Sequence, residues 1–287
     1  MSPSERVIIR PGLLRGEIMK IKFWKMHGAG NDFVLVDDLA CKFPSGDKEW
    51  MAGISSRRTG IGCEGIILIQ KSAKADFKMR FFNPDGGEAD MCGNGARCVA
   101  RLAHELGVAP QAMSIDTRAG LLKAEVGGDM VRLHMTVPKD WRMNKVLLLG
   151  KKKLKYGFVN SGVPHVVVET GKLDEVDVAT IGAAIRYHAD FAPAGTNANF
   201  ISVTGPRSLR VRTYERGVEA ETLACGTGIV ASALVAGRQG LVTSPVAVTA
   251  ASGDVLEVDF ELTGGGARNV ILCGSAVHVF QGTIDRR

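Results

Sequence analysis

The sequence predicts an α+β fold of two similar halves, each a mixed, largely antiparallel sheet wrapped around a central helix. Three observations carry that expectation. The run Cys92-Gly93-Asn94-Gly95 recurs 133 residues further on as Cys225-Gly226-Thr227-Gly228, and each run opens an apolar, helix-compatible stretch. Short apolar runs of strand length, separated by turn residues, flank both. The chain has 287 residues, 45% of them hydrophobic, which exceeds one typical domain of roughly 150 residues and is enough for two cores.

Residues 1–18 contain Arg10-Pro11-Gly12 and no clean periodicity, and are expected to form an N-terminal appendage. The fold is expected to start at Met19-Lys20-Ile21-Lys22-Phe23. Strands follow over 33–36, 65–70 and 77–82, then over 113–116, 121–126 and 130–137, with Gly120, Gly127 and Gly128 as punctuation. Between the two groups Ala96, Val99, Ala100, Ala103 and Leu106 repeat at helical spacing, and Gly107 stands where a C-cap would. The second series places strands over 156–160, 165–169, 198–203, 209–214, 246–250, 255–260 and 270–280. Its helix, Ile229 to Ala236, is apolar almost all round, so the sheet should enclose it. Further helices are expected over 178–188 and, with a weaker pattern, over 48–57. The proline, tryptophan and lysine run of Pro138 to Lys155 mark the boundary, giving halves of 19–140 and 141–274. A strand within 275–287 is expected to complete the first half.

Composition narrows the function classes. No apolar run approaches the roughly 18 residues that span a bilayer, and the N-terminus lacks an apolar signal core, so a cytoplasmic protein without a membrane partner is expected. The charge is +6, yet Lys and Arg are scattered. The one dense run, Lys151-Lys152-Lys153-Leu154-Lys155, lacks interleaved aromatics and reads as a solvated loop, so no nucleic-acid partner is expected. Six cysteines at irregular spacing, with no Cys-x-x-Cys, read as reduced thiols and not as a disulfide framework or a metal site.

The chemistry lies in the twin runs. Unpaired N–H groups and the positive end of the dipole favour thiolate at a helix start, which lowers a thiol pKa to about 3.5–7.5. The glycines let a carboxylate come close to the same N–H groups. If both helix starts face one cleft, Cys92 and Cys225 flank one carbon, and one thiolate can remove a proton while the opposite thiol delivers one. A single Cys-Gly is more often a packed turn; the matched pair shifts the balance towards catalysis. Cys98 falls inside a helix, Cys41 and Cys273 lie in or near strands, and Cys63 is read as structural. Glu215-Arg216, ten residues before Cys225, could meet an ammonium and a carboxylate, or form a surface ion pair. Asn31, Asn83 and Asn197 sit in turn-like settings where they serve either local backbone or a ligand. His165 either tunes a thiol or is a satisfied half-buried histidine.

Long segments around these residues resemble the diaminopimelate epimerases: Met26-His27-Gly28-Ala29-Gly30-Asn31-Asp32-Phe33, Phe82-Asn83-Pro84-Asp85-Gly86 running through to Cys92-Gly93-Asn94-Gly95, and Tyr214-Glu215-Arg216-Gly217 with Ala224-Cys225-Gly226-Thr227-Gly228. The resemblance spans roughly Met19 to Phe280. It implies two pseudo-symmetric halves with the active site in the interdomain cleft, and interconversion of LL- and meso-diaminopimelate without cofactor or metal, in lysine and peptidoglycan precursor synthesis. It implies Cys92 and Cys225 as acid/base thiols, and Gly93, Asn94, Gly226 and Thr227 as contacts to the reacting carboxylate. It further implies Asn31, Asn83, Asn197, Glu215 and Arg216 as substrate-binding residues, His165 and Glu215 as modulators of the thiols, and a homodimer. Three departures bear on the distal end of the substrate: Val163 in place of an asparagine, Glu64-Gly65 where relatives carry Asp and, in some, glutamine, and one extra residue near Glu219-Ala220. Proline and hydroxyproline racemases, which share the two-thiol arrangement, and a thiol-based redox or small-molecule binding protein are the competing expectations.

Overall fold

The computed structural model describes residues 18–286, so all but the last residue of the expected appendage 1–18 lies outside the described residues. The first half comprises β1 (Met19–Gly28), β2 (Asn31–Asp37), α1 (Lys48–Ser55), β3 (Ile66–Gln70), β4 (Phe77–Phe82), β5 (Glu88–Ala89), α2 (Gly93–Glu105), β6 (Ala112–Thr117), β7 (Gly120–Gly127) and β8 (Met130–His134). The strand β9 (Lys139–Leu149) leads into the second half. That half comprises β10 (Lys152–Asn160), β11 (Pro164–Glu169), α3 (Val178–Arg186), β12 (Asn197–Gly205), β13 (Ser208–Glu215), β14 (Ala220–Thr222), α4 (Gly226–Arg238), β15 (Val246–Thr249), β16 (Val255–Leu262) and β17 (Ala267–Ser275). A last strand, β18 (Val277–Arg286), returns to the first half.

The pairings repeat step for step. In the first half β1–β2 is antiparallel, β2–β3 parallel, β3–β4 and β4–β5 antiparallel, β4–β6 parallel, and β6–β7 and β7–β8 antiparallel. The series from β10 to β17 follows the same order of senses. The outer strands are exchanged: β18, from the C-terminus, pairs with β1, and β9, from the middle of the chain, pairs with β10. The β8–β17 ladder joins the halves edge to edge.

In each half one helix is enclosed and one lies outside. The apolar side of α2, with Ala96, Val99, Leu102 and Ala103, is buried against Phe33, Ile67, Met79, Ile115 and Leu133. α4 is buried from Gly228 to Gly237, as its all-round apolar sequence requires, and packs on Val159, Val211, Val248 and Leu272. Each such fully buried Leu, Val or Ile contributes roughly 1.5–3 kcal/mol. α1 and α3 cover the outer faces in separate clusters. No helix of the described residues is long and apolar enough to cross a membrane.

Two sequence expectations give way here. The stretch Pro138 to Lys155, read as an interruption with a lysine loop, is instead most of the β9–β10 hairpin, and Lys152, Lys153 and Lys155 are exposed strand residues. Alternation with Leu154 and Tyr156 is compatible with a strand whose other face is wet. The expected strand 270–280 is two strands, broken at buried Ala276, whose N–H turns to Asp129 O (2.9 Å).

Candidate active site

The four helices divide by their N-caps. α1 and α3 are capped by Asp47, which accepts from Trp50 N, and Asp177, which accepts from Thr180 N. α2 and α4 have Cys92 and Cys225 at the same position, and neither thiol makes a capping hydrogen bond. A capping oxygen is worth about 1 kcal/mol, so the two enclosed helices forgo a standard stabiliser and keep their first N–H groups for something else. The starts of both helices meet: Asn94 Nδ2 donates across to Ala224 O (3.3 Å), next to Cys225, and to Asn31 Oδ1 (3.2 Å).

On the α2 side, Cys92 Sγ lies 3.8 Å from Asn31 Oδ1, and Asn31 is oriented by a hydrogen bond from its Nδ2 to Glu64 Oε2. Glu64 is linked to Arg57, which is bidentate on Asp32, and Asp32 pairs with the buried Lys25 at 2.7 Å. Burial and then the neighbouring Asp32 charge push the Glu64 carboxyl up, and Glu215 adds to this from the other half. Among the sequence departures, Gly65 has a structural reason: a Cβ there would stand 2.4 Å from Phe81 Cε2 and 2.8 Å from Phe82 O, so no side chain fits.

On the α4 side, Cys225 is 7% exposed and its Sγ lies 3.6 Å from Thr227 Oγ1. That hydroxyl is 2.9 Å from His165 Nε2. Asn199 sets the imidazole, because its Nδ2 donates to Val166 O (2.8 Å) and so presents the same amino group to His165 Nδ1 (3.1 Å). Nδ1 therefore accepts, which assigns the proton to Nε2, 2.9 Å from Thr227 Oγ1 and 3.4 Å from Asn197 Nδ2. Burial pushes the His165 pKa down to about 3, with the Arg216 charge adding to it against the Asn199 hydrogen bond, so the ring is neutral. Asn197 Oδ1 accepts from Arg216 N (2.6 Å), and Arg216 Nη1 donates to Ala194 O (3.0 Å). Among the described residues Arg216 pairs with no carboxylate, so the alternative of a surface ion pair with Glu215 is not formed. Glu215 accepts from Thr222 Oγ1 (2.9 Å); burial raises its carboxyl, while hydrogen bonds from Thr222 and Cys225 oppose the rise.

The thiols depart from the expected acidity. Burial pushes both up from the ordinary range and outweighs the helix starts: Gly95 and Asn94 N–H groups oppose the rise at Cys92, and the Thr227 hydroxyl and Gly228 N–H oppose it at Cys225. The Glu215 carboxylate raises each of the two thiols. Removing water costs a thiolate more than a few N–H dipoles return. Deprotonation at these buried positions needs a further positive group close to the thiols.

Of the residues named from sequence, Asn31, Cys92, Gly93, Asn94, His165, Asn197, Glu215, Arg216, Cys225, Gly226 and Thr227 converge here. Asn83 is exposed in the β4–β5 turn, next to Phe82, which pairs with Ile66 two residues past Glu64, and its backbone is bonded to Gly86 and Gly87. The extra residue near Glu219 is absorbed in the β13–β14 turn, where Glu219 takes a positive φ of 58° and pairs with Arg186. Sequence reasoning missed Asn199 and Arg97, and named Glu64 only as a departure from its relatives. Asn199 had a signal: it is two residues from Asn197, on the same face of a strand that pairs with the strand of His165. Among the described residues no three His, Cys, Asp or Glu side chains converge as metal ligands would.

The family profile described as Diaminopimelate epimerase matches residues 23–140 and 157–279. The diaminopimelate epimerase of Aquifex aeolicus is 42% identical over 277 residues, covering 92% of this chain and 98% of that protein. The diaminopimelate epimerase of Chlorobaculum tepidum is 43% identical over 263 residues, covering 90% and 99%. A solved probable proline racemase from Agrobacterium radiobacter superposes with a TM-score of 0.67 at 14% identity, covering 92% of each chain, which shows a shared fold.

Proposed function

The chain belongs to the diaminopimelate epimerase family, and from that we propose that it interconverts LL- and meso-2,6-diaminopimelate by direct proton transfer between Cys92, the substrate α-carbon and Cys225, without a cofactor, in lysine and peptidoglycan precursor synthesis. The observation that carries this reading is the placement of two uncapped thiols at the starts of two enclosed helices that meet across one cleft.

The α-carboxylate is received by the free N–H groups of both helix starts, where Gly93 leaves open space. Asn94, Gly226 and Thr227 shape that pocket, and Asn31, Asn83, Asn197, Glu215 and Arg216 bind the remaining groups. The substrate α-ammonium, placed near Glu215, offsets the carboxylate that disfavours both thiolates. One thiolate then removes the α-proton, the helix dipoles stabilise the developing negative charge, and the opposite thiol delivers its proton to the other face. His165 contributes through the Thr227 hydroxyl, which its Nε2–H leaves free to donate to Cys225. Exclusion of water keeps the intermediate from exchanging protons elsewhere.

The test is incubation of reduced protein with LL-diaminopimelate or L-proline in deuterium oxide, without added pyridoxal phosphate or metal. Deuterium at the α-carbon of diaminopimelate, with formation of the meso isomer, is the expected result. Turnover of proline alone, or no exchange by folded and reduced protein, overturns the reading.

A further inference from the structure

Among the described residues Arg97 is the largest fully buried side chain, at 0% exposure, and it forms no salt bridge. Its Nη1 has no hydrogen-bond partner among the described residues. A buried charge without a counter-charge is costly, so an arginine kept there calls for a purpose. Arg97 lies in α2 five residues past Cys92, and helical side chains lean towards the N-terminus, which returns the guanidinium to the cleft end. There Nη2 donates to Asn94 Oδ1 (3.0 Å) and Nε to Ser275 O (3.3 Å). Room is made by two glycines: a Cβ at Gly28 would stand 3.1 Å from Nη2, and one at Gly274 would stand 3.1 Å from Nε.

Two consequences follow from this placement. Holding Asn94 Oδ1 turns Asn94 Nδ2 outward, towards Asn31 on one side and Ala224 of the other half. The second concerns charge, because the repeat is broken here: the position 133 residues on is Val230, buried in α4. The Glu215 carboxylate acts on both thiols, and at the α2 thiol the buried Arg97 cation works against it. The groups facing Cys92 are Arg97 and Cys98 on its own helix, Glu215 on β13 and Cys225 at α4. Those facing Arg97 are Cys92, Cys98, Cys273 and Asp254, none of them a paired carboxylate.

We propose that Arg97 is a positioning residue that orients Asn94 across the cleft and breaks the symmetry of the two thiols, so that Cys92 is the first to lose its proton and serves as the base of the free enzyme. The inference rests on the reading of both thiols as proton carriers and assigns their order. Once Cys92 has accepted the substrate proton the roles exchange, which is the reverse reaction.

The test is alkylation of the free, reduced protein with iodoacetamide across a pH series, with each cysteine quantified by peptide mass spectrometry. The midpoint pH of labelling is expected to be lower for Cys92 than for Cys225. Arg97→Met should raise the Cys92 midpoint by one unit or more, leave Cys225 nearly unmoved, and lower kcat/KM at neutral pH tenfold or more. Arg97→Lys, which keeps charge but not the fork, should restore the Cys92 midpoint while kcat/KM stays at least threefold down. Equal shifts of both cysteines, or no shift, overturn the inference, as does a wild-type protein in which Cys225 labels first; that last result decides even if Arg97→Met does not fold. Absence of isotope exchange in wild-type protein would instead count against the epimerase reading and leave the labelling order standing.

Discussion

His165 shows how one residue links the fold to the site. It is fully buried, its tautomer is imposed by Asn199, and its Nε2–H meets Thr227. The cost is paid in acid. The folded protein holds the ring neutral to about pH 3, whereas the unfolded chain takes up a proton near 6.5. Between these values the unfolded state binds more protons, so this contribution to stability is complete above about pH 6.5 and is lost as pH falls, by about 1.4 kcal/mol per unit. Urea unfolding of wild type and His165→Gln at pH 6.5, 5.5 and 4.5 checks this. The difference in unfolding free energy should shift against wild type by about that slope as pH drops; a constant difference would show that His165 does not titrate as described.

At the scale of elements, the N-caps separate helices that only support the fold from helices that also present chemistry. α1 and α3 use aspartate, whereas α2 and α4 use cysteine followed by glycines. The glycines have different jobs. A Cβ at Gly228 would stand 2.4 Å from Asn199 Oδ1 and 3.4 Å from Cys225 Sγ, so Gly228→Ala should displace the amide that sets His165. Loss of about 1–3 kcal/mol by chemical denaturation and a tenfold or greater fall in kcat are expected. A Cβ at Gly93 would meet nothing within 4 Å, because that space faces the cleft. Gly93→Ala should keep its stability and show a raised KM. Equal behaviour of the two variants in both measurements would contradict this division. The Cys-Gly-x-Gly runs were legible in the sequence because N-cap, glycines and helix are contiguous. Arg97 was not, because its slot is built by Gly28 and Gly274 from distant strands, and the part Glu64 plays was not, because it depends on Asn31 at the start of β2.

At the scale of the molecule, the chain folds as a repeat of one pattern of strand senses, with its outer strands exchanged and its halves stitched through β8 and β17. Most strands and all four helices were readable from periodicity. The β9–β10 hairpin was not, since Pro138, Trp141 and the exposed lysines obscure its alternation, and the break at Ala276 depends on Asp129 in the β7–β8 turn of the neighbouring strand pair. The repeat brings two equivalent helix starts to one cleft, while Arg97, Glu215 and His165 make the two sides chemically unequal. The central claim is that both thiols move the same proton pair at one carbon. Its most direct test is conversion of LL- to meso-diaminopimelate by folded Cys92→Ala and Cys225→Ala proteins under reducing conditions. Each variant should be inactive in epimerisation, with wild-type secondary structure; near-normal conversion by either one would contradict the assignment.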